Sequence, residues 1–160
     1  MNFFLCKSCG AQLKVDNSVS GELSLKEYLV DWYEIARFDH SFERGIQRSK
    51  ANYTLREDGK VQVLNTGIKN GKPKTAKGKA KLTDNPRILR VSFFGPFYSD
   101  YRVMLLDPAY QWALIGGSSY KYLWILSRTP QLPDDARATL LAEATRRGYD
   151  TSKLIWVEQE

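Results

Sequence analysis

Lys26-Glu27-Tyr28-Leu29-Val30-Asp31-Trp32-Tyr33-Glu34-Ile35-Ala36-Arg37-Phe38-Asp39-His40-Ser41-Phe42-Glu43-Arg44-Gly45 decides the fold of this chain. The stretch opens as a short helical turn, with Ser24 as its cap and Glu27 at the capping-box position. From Trp32 it reads as a strand over 32–38. Strand side chains alternate, so Trp32, Glu34, Ala36 and Phe38 share one face and Tyr33, Ile35 and Arg37 the other. Neither face is purely polar, so this strand borders packed material on both sides. A large aromatic at the foot of such a strand suits a plug at one end of a closed sheet.

The chain downstream supplies that sheet. Strands are expected over 47–56 and 61–68, joined by Glu57-Asp58-Gly59-Lys60, whose Asp-Gly favours a tight hairpin turn. Lys69-Asn70-Gly71-Lys72 is a second hairpin signal. It leads into a basic strand over 74–83, with Lys77, Lys79 and Lys81 outward and Gly78, Ala80 and Leu82 inward. Further strands are expected over 87–94, 101–106, 110–115 and 120–127, separated by Gly95-Pro96, Asp107-Pro108 and Gly116-Gly117. One helix then follows. Asp134 and Asp135 favour its start, Ala136, Leu140, Leu141 and Ala144 form its apolar stripe, and Gly148 is a natural stop. A short strand over 154–157 ends the chain.

Eight strands with short connections favour antiparallel neighbours, and one helix cannot cover both faces of so large a sheet. The expected fold is therefore all-β: an eight-stranded antiparallel up-and-down barrel, one C-terminal helix packed outside, and a short final strand. Closure removes both sheet edges, and eight strands can enclose one small ligand.

Composition narrows the partners. The length of 160 residues favours one domain. Residues 1–20 read as a leader or tail, and 21–160 as the domain. The net charge of +6 favours anionic partners. The aromatics share strand faces with aliphatics, which suits a core better than a stacking platform, so no nucleic-acid partner is expected. Cys6 and Cys9 are open to half a zinc site, a redox pair, a local disulfide or lipidation. A zinc ribbon needs a second cysteine pair and His40 is the only histidine, so no metal site and no cofactor are expected. The N-terminal residues form neither a complete signal peptide nor a good lipoprotein acceptor site, which leaves export and a cytoplasmic start both open.

The run 28–38, the loop 39–45, Val91-Ser92-Phe93-Phe94-Gly95-Pro96-Phe97-Tyr98 and 122–130 together resemble the lipocalin family. They are most similar to bacterial lipocalins of the outer-membrane lipoprotein, apolipoprotein D-like type. Three hallmark regions carry the resemblance. The first is Val30-Asp31-Trp32, where the family usually has glycine in place of Val30. The second is Asp107 with Tyr110, and the third is Arg128. The resemblance implies that Trp32, Asp107, Tyr110 and Arg128 seal the closed end, with the Arg128 guanidinium on the Trp32 ring.

It also implies binding, storage or transport of a fatty acid or (lyso)phospholipid in the barrel, at the cell envelope. Alternation, with Trp32 and Arg128 fixing parity, gives a candidate ligand-facing set of Ala36, Phe38, Tyr53, Val63, Asn65, Phe93, Trp124 and Leu126. Arg44 is added at the mouth, to meet a carboxylate or phosphate. No catalytic residue is expected: neither cysteine lies in the barrel, His40 is on a loop, and Glu34 reads as a lone acid. The alternatives are a lipocalin-fold enzyme acting on a lipid-like substrate, and a basic β-barrel binding nucleic acid. The lysine run is open to contact with an anionic membrane. Gly95-Pro96-Phe97-Tyr98, read as a loop, is open to a homodimer contact or a membrane touch point.

Overall fold

The computed structural model describes residues 14–159, so Cys6 and Cys9 lie outside the described residues. A four-residue helix, α1 (Leu25–Tyr28), leads into β1 (Val30–Arg37). There follow β2 (Gln47–Leu55), β3 (Val61–Lys69), β4 (Lys72–Leu82), β5 (Ile88–Phe94), β6 (Phe97–Leu106), β7 (Trp112–Gly116) and β8 (Leu123–Ser127). Each strand pairs antiparallel with the next, and β1 pairs with both β2 and β8, which closes the barrel. Helix α2 (Asp134–Arg146) lies outside, and β9 (Ile155–Trp156) adds to β1. Asp134 and Asp135 occupy the first turn of α2, where the helix dipole favours acids. Gly148 beyond its end takes φ +98°, which glycine adopts without strain.

Two cores result. Inside the barrel, Trp32, Tyr53, Val61, Val63, Ala113 and Leu126 pack above α1, with Tyr28 beneath them. Between the barrel wall and α2, Ile35, Ala36, Phe38, Leu114, Ile125 and Leu140 form a second cluster. Val15 and Val19 pack against this outer cluster. The Arg147 guanidinium donates to the carbonyls of Asp16 and Ser18, so residues 15–19 run along the seam beside α2.

One irregularity in β1 changes its reading. Glu34 pairs with Leu126 and Ala36 with Ile125, so Ile35 is an extra residue against β8. Such a bulge reverses which face the following residues present. Trp32 and Glu34 face inward as expected, but Ala36 and Phe38 face α2, and Arg37 turns in. The expected ligand-facing parity of Ala36 and Phe38 is therefore corrected.

Other departures are smaller. Phe97 and Tyr98 belong to β6, and Phe94 pairs with Phe97 across a Gly95-Pro96 turn. Tyr120 and Tyr122 precede β8. Leu82, at the end of β4, is exposed.

Val30 has φ +78°, a left-handed conformation that crowds a β-branched side chain, and it is exposed. Glycine has no such strain there, which accounts for the glycine that the resemblance expects. Val30→Gly should stabilise the fold by about 1 kcal/mol once glycine's extra backbone entropy is offset. Thermal denaturation followed by circular dichroism should show Tm rising by about 2–4 °C.

Candidate functional site

The strand ends fix the two mouths of the barrel. At the end where β1 begins, the Arg128 Cζ lies 3.8 Å from the centroid of the Trp32 ring. The same guanidinium donates to the carbonyls of Glu27, Leu29, Asp31 and Tyr110. The Trp32 indole N–H donates to the Tyr28 carbonyl at 2.7 Å. The Asp107 carboxylate accepts from the Gln111 amide, and its carbonyl accepts from the Tyr110 amide. The Tyr110 hydroxyl in turn accepts from the Ser24 amide. Thus Trp32, Asp107, Tyr110 and Arg128 come together and close this end.

Above this floor is a cavity of about 310 Å³, within the range of small-molecule sites. Tyr53, Val63, Asn65, Phe93, Trp124 and Leu126 line it. Gly78 makes room for one wall, because a Cβ there would fall 2.7 Å from the Phe93 ring and the Ser92 carbonyl. Ala36 and Phe38 are absent from the lining, for the reason given by the bulge. Arg44 is also absent: it is exposed and its Nε donates to Asp39 at 3.0 Å.

Two polar clusters at the cavity were not read as clusters from the sequence, although Tyr53 stood in the candidate set and Glu34 was read as a lone acid. The first is a set of three hydroxyls low in the barrel. Tyr53 donates to the Tyr101 hydroxyl at 3.2 Å, and Tyr101 and Tyr28 share a hydrogen bond of 2.6 Å. Burial pushes all three phenols above their ordinary range. Tyr101 was findable, since the turn at Gly95-Pro96 sets it opposite Leu89 on β5.

The second group lies near the open mouth. Glu34 is not a lone acid. The Arg37 guanidinium donates to Glu34 Oε1 at 3.2 Å and to the carbonyls of Glu43 and Ile46. Glu43 reaches in from the loop 38–46, and its Oε1 meets His40 Nε2 at 2.8 Å and accepts from the Trp124 indole at 2.9 Å. Burial raises the Glu34 carboxyl well above the usual carboxylate range, and its hydrogen bond to Glu43 and that neighbour's charge add to the rise. For Glu43 burial acts in the same direction, but hydrogen bonds from Glu34, His40 and Trp124 outweigh it and hold the carboxyl down at about 2. Glu34 therefore keeps its proton to higher pH than an ordinary carboxyl, and Glu43 keeps its charge to lower pH.

Residues 23–159 match the family described as the lipocalin-like domain. The chain belongs to the lipocalin-like family. It is similar to the outer membrane lipoprotein Blc of Escherichia coli K12, 49% identical over 146 residues, covering 89% of this chain and 82% of that protein. It is also similar to mouse apolipoprotein D, at 31% identity over 88% of this chain and 79% of that one. Among solved structures, lobster apocrustacyanin A1 has the same fold, with a TM-score of 0.72 at 18% identity over 86% of this chain and 80% of that chain. The lipocalin barrel and its sealed floor thus account for the hallmark positions, and the cavity above the floor is consistent with a hydrophobic ligand.

Proposed function

We propose that this lipocalin binds and carries a fatty acid or lysophospholipid in its barrel, in maintenance of cell-envelope lipids. The observation that carries the reading is the cavity itself. Most of its surface is aromatic and aliphatic, which suits an acyl chain, and polar side chains such as Asn65, Lys74 and Asp100 also line it, which suits the headgroup of an amphiphile. Asn65 offers an amide at mid-wall, and Lys74, which also lines the cavity, offers a cation toward the open mouth for a carboxylate or phosphate. The outer-membrane naming of the Blc relative supports an envelope location. The Glu34–Glu43 pair is held by Arg37, His40 and Trp124 and serves to fix the mouth loop.

Trp124 makes the reading testable, because its ring lines the cavity. Native mass spectrometry of the purified protein, then titration with a lysophospholipid and with a free fatty acid, should show a co-purified lipid or a saturable change in tryptophan emission. Trp124→Phe should remove most of that change. Absence of bound lipid together with no response to either ligand would sink the proposal.

A further inference from the structure

The two ends of the barrel differ in chemistry. The floor end is sealed, and its hairpin charges oppose one another, as Arg56 with Asp58 across the β2–β3 turn. The open end carries the exposed aromatics. Phe42 is 57% exposed, Phe94 61% and Phe97 76%. Phe42 and Phe94 stack with ring centroids 5.2 Å apart, and Phe97 pairs with Phe94 across the Gly95-Pro96 turn. Three apolar rings from two connections therefore form one patch beside the cavity entrance. Contiguous apolar surface of this kind marks a contact surface.

Cations surround that patch. Lys69 and Lys72 flank the β3–β4 turn, and Lys121 lies in the 117–122 connection. Among the described residues none of these three sits in an ion pair, whereas of the open-end acids Asp39 pairs with Arg44 and Glu43 is turned inward onto His40 and Trp124. The rim thus presents unopposed positive charge around aromatic rings. A bilayer with anionic headgroups matches both at one depth, since aromatics favour the headgroup boundary and lysines meet the lipid phosphates.

We infer that the open end of the barrel is a docking surface for an anionic lipid bilayer, with Phe94 and Phe97 in the headgroup layer and Lys69, Lys72 and Lys121 on the lipid phosphates. Docking in this pose sets the cavity entrance against the membrane, so an amphiphile passes between leaflet and barrel without crossing water. The surface stands whatever the cavity holds.

Flotation with phosphatidylcholine vesicles containing phosphatidylglycerol, beside pure phosphatidylcholine vesicles, tests this. The full chain should bind the first far more strongly, and added salt should weaken that binding. Each lysine near the surface contributes about fivefold, so Lys69→Gln/Lys72→Gln/Lys121→Gln should lose about 100-fold. The control Lys60→Gln/Lys77→Gln/Lys79→Gln changes net charge equally on the outer wall and at the sealed-end β2–β3 turn, and it should lose far less. Phe97→Ser should weaken binding with all charges intact. The inference is overturned if both triple variants lose equally, if Phe97→Ser has no effect, or if the vesicles do not bind. Sedimentation equilibrium adds a further arm: self-association abolished by Phe97→Ser, without vesicle binding, would make the patch a face between copies. None of the lysines in the rim triple lines the cavity, so ligand titration without vesicles judges the carrier reading separately.

Discussion

Arg128→Ala should lower the unfolding free energy by about 3–5 kcal/mol, measured by urea denaturation. The guanidinium does two jobs at the sealed end. It stacks on a fully buried Trp32 ring at 3.8 Å, a contact of about 1–2 kcal/mol where partly desolvated. It also donates to four backbone carbonyls, from α1, β1 and the β7 approach. Those carbonyls lose a charged donor together in the variant, and hydrogen bonds to charged groups contribute about 1.5–3 kcal/mol each when water does not replace them. Partial access of water to this end keeps the total below the sum. Arg128→Lys should recover little, since an ammonium cannot reach four carbonyls while lying flat on an indole. Loss of less than about 1 kcal/mol in Arg128→Ala would show that α1 holds the floor without it.

Arg37→Met should cost about 3–5 kcal/mol at neutral pH, the usual range for removing one partner of a buried charge pair. Arg37 is 1% exposed. Its loss leaves the charge of the Glu34–Glu43 pair uncompensated and takes donors from the Glu43 and Ile46 carbonyls. The charge part is pH-dependent, and its sign follows from the acids. Arg37 holds the raised Glu34 carboxyl down, so without it that carboxyl rises further above the unfolded value of 4.5. A raised folded pKa gives stability that is full below the unfolded value and lost as pH rises. The deficit of Arg37→Met against the parent should therefore shrink as pH falls through the raised range in which Glu34 takes up its proton. Adding Glu43→Gln, which keeps the oxygen facing Trp124 and removes the stranded charge, should recover part of the loss at pH 7. A deficit that is flat with pH and unchanged by Glu43→Gln would assign Arg37 to packing alone.

The barrel was legible because its signals are local. Asp58-Gly59, Asn70-Gly71 and Gly95-Pro96 mark the turns, strand alternation marks the walls, and Asp134 to Gly148 bounds a helix of ordinary spacing. The sealed floor was legible through Trp32 and Arg128. Ala36 and Phe38 were misplaced because nothing in Glu34-Ile35-Ala36-Arg37 distinguishes a strand that continues from one that slips by a residue. Both faces there are buried, so polarity gives no warning. Glu43 was missed because loop residues have no periodicity, and its partners come from β1 and β8. Arg44, seven residues past Arg37 in the chain, was chosen for the mouth on charge alone, while the arginine that turns inward was assigned to the outer face.

The bulge at Ile35 has a thermodynamic consequence. It divides β1 between the two cores: Trp32 and Glu34 belong to the lumen, and Ile35, Ala36 and Phe38 to the seam under α2. A strand with a regular register would give its apolar residues to the two compartments in alternation along its whole length. Here Ile35 and Ala36 in succession face the seam, Tyr33 below them packs there too, and Arg37 above them turns into the lumen, so both cores hold the strand over its whole length. Neither core can come apart without freeing a strand that the other needs. The lumen and the α2 seam therefore form one cooperative unit, and the ligand cavity draws its rigidity from a helix that never touches it.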